Sequence, residues 1–469
     1  MLFRSIRLTE TEERIINSPY YQRLRWIKQL GFANYIFPGA EHTRFAHAIG
    51  VLHSVDQMIR SLGNDVPDEK LFDTKAVDSK SLFHKSCRIA ALLHDIGTFP
   101  FSHSIEESYI RHGASLEKQG KLPGKQLPNS HEHLGGFIIK NTKSLSGITK
   151  ILSDDGFDPG VLSKYIKGDS ESLVANQLLH SDLDADRMDY LVRDAHHTGI
   201  KYGHIDRDYI LYHLTTFKTE DGREGLGVRE NAIHAVEDFL IARFAWYSQV
   251  VKNPSSAKYD VLAANIASYL LKNNLIVQFH ELLKMAVEDA ERFFGFNDVY
   301  FMSLLQKLYW NKKIKDPKIN EKLRMLIYRI PPHTVRLPEF QHRILEVNQT
   351  CEINTKKKLL QKIADKVEEI NHLFSTQGTG KEWIIADIPQ RDVIFTKDIR
   401  HMLRKKGLKN IFMERDPIKV ISKSGAPTLL VEKDNALIGR LSRYVNFIPN
   451  MYANDSAIEF LKSKRILKV

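Results

Sequence analysis

Four separated segments supply side chains of the kind that hold a metal ion. They are His42-Thr43-Arg44-Phe45-Ala46-His47, His94-Asp95, His131-Glu132-His133, and Ser181-Asp182-Leu183-Asp184-Ala185-Asp186-Arg187-Met188-Asp189-Tyr190. The His94-Asp95 pair is the most telling. It closes the apolar run Ile89-Ala90-Ala91-Leu92-Leu93, and Gly97 stops a helix just beyond it. An unpaired carboxylate at the end of a buried helix is costly. A divalent cation would neutralise both groups, and imidazole plus carboxylate suits Mn, Fe, Mg or Zn. The competing explanation is a capping Asp beside a hydrogen-bonded buried His.

The aspartate cluster starts like a calcium loop, but the sixth position, which needs Gly, is Arg187. On a helix, Asp186, Tyr190 and Asp194 fall at i, i+4 and i+8 and so share one face. An acid, a phenol and a second acid in line read as a substrate-lining stripe, against the alternative of a solvated acidic face. Two lookalikes fail. His131-Glu132-His133 lacks the i, i+4 spacing of a zincin helix. Gly378-Thr379-Gly380-Lys381 has Ser375 where a phosphate loop needs its first Gly, and Glu382 where it needs Ser or Thr.

These segments need a sizeable helical scaffold. The chain has 469 residues, 42% hydrophobic and 27% charged, which is ordinary globular usage and excludes wholesale disorder. Two cysteines, Cys87 and Cys351, exclude a disulfide scaffold and a Cys-rich zinc site. No apolar run is long enough for a membrane span and no signal-peptide core is visible, so a cytoplasmic setting without membrane is expected. The net charge of +11 favours anionic partners, and the clustering of several of the 20 His residues between His42 and His133 calls for a site.

Helical spacing of Tyr21, Leu24, Ile27 and Leu30 predicts a first helix after Ser18-Pro19, ending at Gly31. A second helix is expected from His47 toward Arg60, and a buried one from about Phe83 to Ile96. Ser61 to Lys80 reads as a polar loop, and Gly113 to Ser130 as a mobile flap. Thr215 to Val228 predicts a β-hairpin, and Asn231 to Val251 a long helix. Helical patterns continue to about Phe374. Beyond a boundary near Ser375 to Gly380, β-like runs such as Trp383-Ile384-Ile385 and Thr428-Leu429-Leu430-Val431 mix with short helices.

The combination of His47, His94-Asp95 and Asp186 resembles the H…HD…D signature of the HD-domain phosphohydrolases. Further blocks resemble its deoxynucleoside triphosphate triphosphohydrolase branch: Lys28-Gln29-Leu30-Gly31, Phe37-Pro38-Gly39-Ala40, Leu93-His94-Asp95-Ile96-Gly97, Pro100-Phe101-Ser102-His103 and Leu183 to Tyr190. The similarity runs in order over about residues 6 to 260. It implies a mainly α fold: an all-helical HD core at 1–260 with a small β-hairpin, a helical extension at 261–375, and a C-terminal α+β region at 376–469. It implies that His47, His94, Asp95 and Asp186 bind one divalent metal ion. It implies that Arg44, Arg187 and Arg243 contact a triphosphate, and that Gln29, Tyr190 and Asp194 meet the deoxyribose. His103, His131 and Glu132 would supply acid and base functions. The implied reaction splits a dNTP into a deoxynucleoside and inorganic triphosphate.

The sequence departs from that pattern in places. Thr98 stands where the branch often has a His after Ile-Gly, and Gln249 to Pro254 replaces residues that line the nucleoside pocket. Gln22 and Arg25 match activator-binding residues, but Asn17 stands where an Asp reads guanine. Two other readings remain open. One is an HD phosphodiesterase or nuclease, with His131 and His133 helping to hold a second metal. The other is a nucleotide or nucleic-acid binding protein with a weakened site, for which the basic runs Asn311–Arg324, Lys356–Lys366 and Arg400–Lys409 speak. Expected partners are therefore the dNTP, a nucleotide activator or a nucleic acid, and a second copy of the chain, since the branch forms dimers and tetramers.

Overall fold

A computed structural model describes residues 5–63, 79–119, 127–346, 352–388, 393–396, 412–442 and 444–467. The fold is mainly helical, as expected. Among the described residues, no helix is long and apolar enough to cross a membrane. Most of the Ser61–Lys80 loop, residues 120–126 of the supposed flap, Cys351 and the Arg400–Lys409 run lie outside the described residues.

Three helices form the centre. The His47 helix spans Arg44–Leu62 and packs against Ser79–Leu93 on one side and Ala185–Thr198 on the other. Its inward face is apolar, with Ala48, Val51, Leu52, Val55 and Met58 fully buried. Gly50, one turn beyond His47, is a steric requirement. A Cβ there would lie 1.9 Å from Asp189 Oδ1, so the bare backbone is what lets the third helix lay Asp189 against His47. Gly97 plays the same part after His94-Asp95: a Cβ there would meet the His131 carbonyl at 2.2 Å. The helix His131–Asn141 can therefore bring its first turn up to the His-Asp corner.

The loop between that corner and helix His103–Lys118 is held from outside. Phe101 and Ser102 both have left-handed φ values, 53° and 55°, unusual for residues with side chains. Asp298 Oδ1 accepts the Phe101 N–H at 2.6 Å, and Phe101 stacks on Phe32 at 4.0 Å. Ser102 Oγ donates to the Lys28 carbonyl and accepts from Arg44 Nε. The buried Arg23 guanidinium donates to the carbonyls of Ile96, Thr98 and Phe296.

That Arg23 contact explains where the first expected helix fails. Pro19–Gln22 is α-helical, but Arg23–Trp26 tightens to a 3-10 turn. Ile27 is then extended, and Lys28 bridges Thr43. Apolar spacing put Leu24 and Ile27 in the core, but tertiary hydrogen bonds won over helical continuation. The Gly113–Ser130 flap is also corrected in part, since the helix from His103 runs through a buried Gly113 to Lys118. The expected Asn231–Val251 helix is a 3-10 turn, then α over Ile233–Trp246, then a π turn over Tyr247–Val251.

The hairpin is present. Leu214–Lys218 pairs with Glu224–Arg229 antiparallel, Leu214 opposite Val228 and Lys218 opposite Glu224. The C-terminal region extends it: Lys419–Ile421 joins Glu224–Arg229 in parallel, and Pro427–Leu429 closes the sheet. Helical patterning up to Phe374 missed short strands at His333–Thr334 and Arg343–Glu346. These pair with C-terminal strands Asn450–Ala453 and Tyr444–Phe447. A second small core, including Ile363, Ile370, Phe447 and Met451, lies between them and helix Glu352–Gln377.

Asp298 gives this scaffold a pH dependence. Burial pushes its carboxyl up to about 7, against the N–H groups of Lys28 and Phe101 that favour the ionised form. In the unfolded chain it would titrate near ~4. The folded state therefore holds the proton between those values. The stability this confers is full below the unfolded pKa and is lost as pH rises through about 7. Urea unfolding of wild type and Asp298→Asn should show a wild-type advantage at pH 5 that shrinks by pH 8. An advantage that stays constant or grows would count against this account.

Candidate active site

His47, His94 and Asp95 converge on one buried point, and the half-buried Asp186 of the third helix borders it. His47 Nε2 lies 3.0 Å from Asp186 Oδ1 and 3.8 Å from Asp95 Oδ2. His94 Nε2 lies 3.5 Å from Asp95 Oδ2 and 3.9 Å from Asp186 Oδ1. The ligand atoms of His47, His94 and Asp95 all fall within 4.8 Å of one another.

The other ring nitrogens fix the tautomers. His47 Nδ1 meets Asp189 Oδ2 at 2.8 Å, and His94 Nδ1 meets the Ala91 carbonyl at 2.7 Å. Both acceptors demand N–H at Nδ1, which leaves the Nε2 lone pairs facing the centre. Both Nε2 atoms are buried and have no hydrogen-bond partner among the described residues. Two orphaned imidazole nitrogens beside two carboxylates fit a divalent cation. Asp189 is itself gripped by Arg193 through two bonds of 2.7 and 2.8 Å.

The electrostatics agree. Burial alone would lower the His47 imidazolium, but Asp186 and Asp189 push it up to about 10. Burial would raise the Asp95 carboxyl, but Arg44 and the imidazoles of His94, His47 and His131 hold it well below the usual range. The cage demands positive charge at its centre. A proton on His47 competes with a metal ion for that position.

A second group borders the cage. Glu106 takes His131 Nδ1 on Oε1 at 3.0 Å and His103 Nδ1 on Oε2 at 2.7 Å. It also accepts the backbone N–H of His131 at 2.7 Å. The other face of His131, Nε2, lies 3.8 Å from Asp95 Oδ1 and 3.5 Å from Glu132 Oε1. Burial would lower His131, but Glu132, Glu106 and Asp95 push it up to about 10. These carboxylates favour its imidazolium form, and its Nε2 faces the cage from the Glu106 side.

The three arginines differ. Arg44 Nη1 donates to Asp95 Oδ2 at 2.8 Å and borders the cage directly. Arg187 Nη1 donates to the Ser181 carbonyl at 2.7 Å and to the Asp184 carboxylate. Arg243 Nη1 donates to Asp182 Oδ1 at 2.8 Å, while Thr396 of the C-terminal region donates to Asp182 Oδ2 at 2.6 Å.

Residues 44–194 match the family model of the HD domain. This segment is an HD domain. The HD match implies a divalent metal, in keeping with the cage. An uncharacterized protein of Methanocaldococcus jannaschii is 32% identical over 280 residues, which cover 60% of this chain and 49% of that protein. The deoxynucleoside triphosphate triphosphohydrolase SAMHD1 of Bos taurus is 24% identical over 350 residues, 68% of this chain and 54% of that enzyme. The chain thus spans about half the length of these curated relatives. A crystal structure of a protein from Aquifex aeolicus superimposes with a TM-score of 0.65 at 23% identity, over 98% of this chain and 96% of that one. That likeness concerns the fold.

The HD domain also carries the stripe read from the sequence. Asp186, Tyr190 and Asp194 lie along helix Ala185–Thr198, which Asp184 caps through the Arg187 N–H. Asp186 is in the cage, but Asp194 is fully buried and engaged at both oxygens, by His42 Nε2 and Trp246 Nε1, each at 2.8 Å. Gln29 is buried close to Arg44, whose Nη2 donates to the Gln29 carbonyl at 3.4 Å. Its side-chain Oε1 has no hydrogen-bond partner among the described residues. Thr98, the departure beside the HD pair, donates to Asp95 Oδ1 at 3.2 Å. His133 is exposed, with Nδ1 3.0 Å from Ser130 Oγ, and belongs to neither metal-type group among the described residues.

Sequence reasoning missed Glu106, Trp246 and Thr396, and gave Asp189, although it lies inside the aspartate segment, no role of its own. Glu106 and Asp189 carried a usable signal: each stands three residues after a candidate, His103 and Asp186, within one helix. Removing the carboxylate behind His47 tests the cage. Asp189→Asn should weaken Mn binding at pH 7 by about 10–100-fold, the usual cost of losing such a partner. Competition with a chromophoric chelator reads this directly. Unchanged affinity would mean that Asp189 does not orient His47 as a ligand.

Proposed function

We propose that this protein is a metal-dependent triphosphohydrolase that splits a dNTP into a deoxynucleoside and inorganic triphosphate. The observation that carries the reading is the grouping of His47, His94, Asp95 and Asp186 with the His131 imidazole, held at its edge by Glu106. When bound by His47, His94, Asp95 and Asp186, the metal ion supplies positive charge at the α-phosphate. Arg44 adds a fixed cation at the cage, and Arg187 and Arg243 hold the outer phosphates. Gln29, Tyr190 and Asp194 receive the sugar. A water forms the new bond to the α-phosphorus as the bond to the 5′-oxygen breaks; His131 gives its proton to that departing oxygen, and the proton the water loses passes to Glu132. Glu106 keeps His131 charged and oriented, while His103 and Glu132 exchange protons at either side of it. Similarity to SAMHD1 enzymes, whose name states this reaction, supports the substrate.

One observation favours a second reading. His103, Glu106 and His131 form a further group whose ligand atoms lie within 4.8 Å of one another. A second ion there would suit phosphodiester cleavage of a cyclic nucleotide or single strand.

The deciding experiment incubates mixed dNTPs with Mn or Mg, each rNTP being tested as substrate and as activator. Product chromatography should find deoxynucleosides and triphosphate, absent with Asp95→Ala. Glu106→Gln should lower kcat by about a hundredfold or more, within the usual range for general acid catalysis, with KM little changed. Two metal ions per chain, with turnover of phosphodiesters and none of dNTPs, would establish the second reading instead. The same protein in size-exclusion chromatography tests the proposed homo-oligomer.

A further inference from the structure

Trp246 is the aromatic residue that sequence reasoning left without a role, and it lies on the proposed sugar face. Its ring centroid is 4.5 Å from that of Tyr190, tilted by 32°. Its Nε1 donates to Asp194 Oδ2 at 2.8 Å. Asp194 has no exposed surface, and its other oxygen is held by His42. As it stands, no ligand can reach this carboxylate.

Its oxygens could each accept a further bond, but with Asp194 fully buried one of the two donors that cover it has to move before a sugar hydroxyl can reach it, and the two are not equally free. The His42 side chain is 1% exposed, and its ring is stacked on His197 at 4.3 Å. Trp246 is only half-buried and is the last α-helical residue before the π turn at Tyr247–Val251. Such turns interrupt regular helix hydrogen bonding and collect at functional sites. Of the two donors, Trp246 is the one that can move.

We propose that Trp246 decides which ligands enter the sugar pocket, its indole N–H holding the place of a sugar hydroxyl on Asp194. The inference rests on the reading above that Tyr190 and Asp194 meet the sugar. A nucleotide with a free 3′-hydroxyl exchanges one donor for another, so the buried carboxylate keeps two hydrogen bonds throughout. A 2′,3′-dideoxynucleotide offers no donor and would leave a buried charge short of a partner, which is expensive. An inorganic triphosphate never reaches the latch. The preferred ligand class is therefore nucleotides that carry a sugar donor, and the discrimination resides in a residue outside the metal cage.

The test follows tryptophan emission during titration with each dNTP, its dideoxy counterpart and inorganic triphosphate, for wild type and Trp246→Phe. Calorimetry on the same samples gives affinities. Wild-type emission should change with dNTPs and not with the other two ligands. The change should vanish in Trp246→Phe, although Trp26, Trp310 and Trp383 remain. Removing the competing donor should tighten dNTP binding by about tenfold, the scale of one hydrogen bond to a charged group. The latch is wrong if dNTPs bind without moving the emission, if dideoxynucleotides move it equally, if dNTPs do not bind, or if Trp246→Phe binds them more weakly. The wild-type emission signal does not depend on how the variant folds. Product chromatography separates the two claims: emission change without released deoxynucleoside keeps the latch and removes the hydrolytic reading. Hydrolysis without emission change does the reverse.

Discussion

Two carboxylates and two imidazoles meet at one point, and their need for a cation governs the structure around them. Asp95 and Asp186 cannot both be ionised there without compensation, and the Nε2 atoms of His47 and His94 have nothing else to bind. The surrounding groups are arranged to keep that demand in place. Asp189 and the Ala91 carbonyl fix the imidazole tautomers, and Arg193 fixes Asp189. Arg44 supplies part of the missing charge and, with the neighbouring imidazoles, holds the Asp95 carboxyl low. A cage of this kind is expensive in isolation and becomes favourable only with its ion.

Holding such a cage requires precise approach of three helices, and the fold obtains it from residues that touch no ligand. Gly50 and Gly97 remove side chains where two backbones or a carboxylate must come close. Asp298 and Arg23 together hold the loop that runs from the His-Asp corner to His103. That loop carries two residues in left-handed conformations, so its shape is imposed by its anchors. The C-terminal region takes part as well, through Thr396 on Asp182 and Phe395 stacked on Phe244 at 4.0 Å. Arg243 bonds Asp182 and directly precedes Phe244, so it is tied to both contacts.

Much of the metal cage was legible because its chemistry is local. His94-Asp95 stands out at the end of an apolar helix, and Asp186, Tyr190 and Asp194 announce a shared face by spacing alone. The supporting groups were harder. Glu106 looks like any charged residue on an amphipathic helix until His131, 25 residues away, is placed against it. Thr396 reaches Asp182 across 214 residues, and nothing in its neighbours marks it. The first expected helix failed for a related reason: Arg23 satisfies distant backbone carbonyls, which no local pattern encodes. Spacing reports which side chains share a surface, and it is silent on what closes over that surface.

The four-stranded sheet brings the two ends of this logic together. Arg229 of the hairpin pairs with Ile421, which is 421 − 229 = 192 positions later. A ribosome working at roughly 5–20 residues per second needs about 10–40 s to make that stretch. For that interval the Glu224–Arg229 strand has an open edge of the sort that invites pairing with other chains. The cage residues, the last of which is Asp186, are all synthesised before Lys419–Ile421, so the border is the later of the two to be completed. Whatever else the last hundred residues do, they end that exposure.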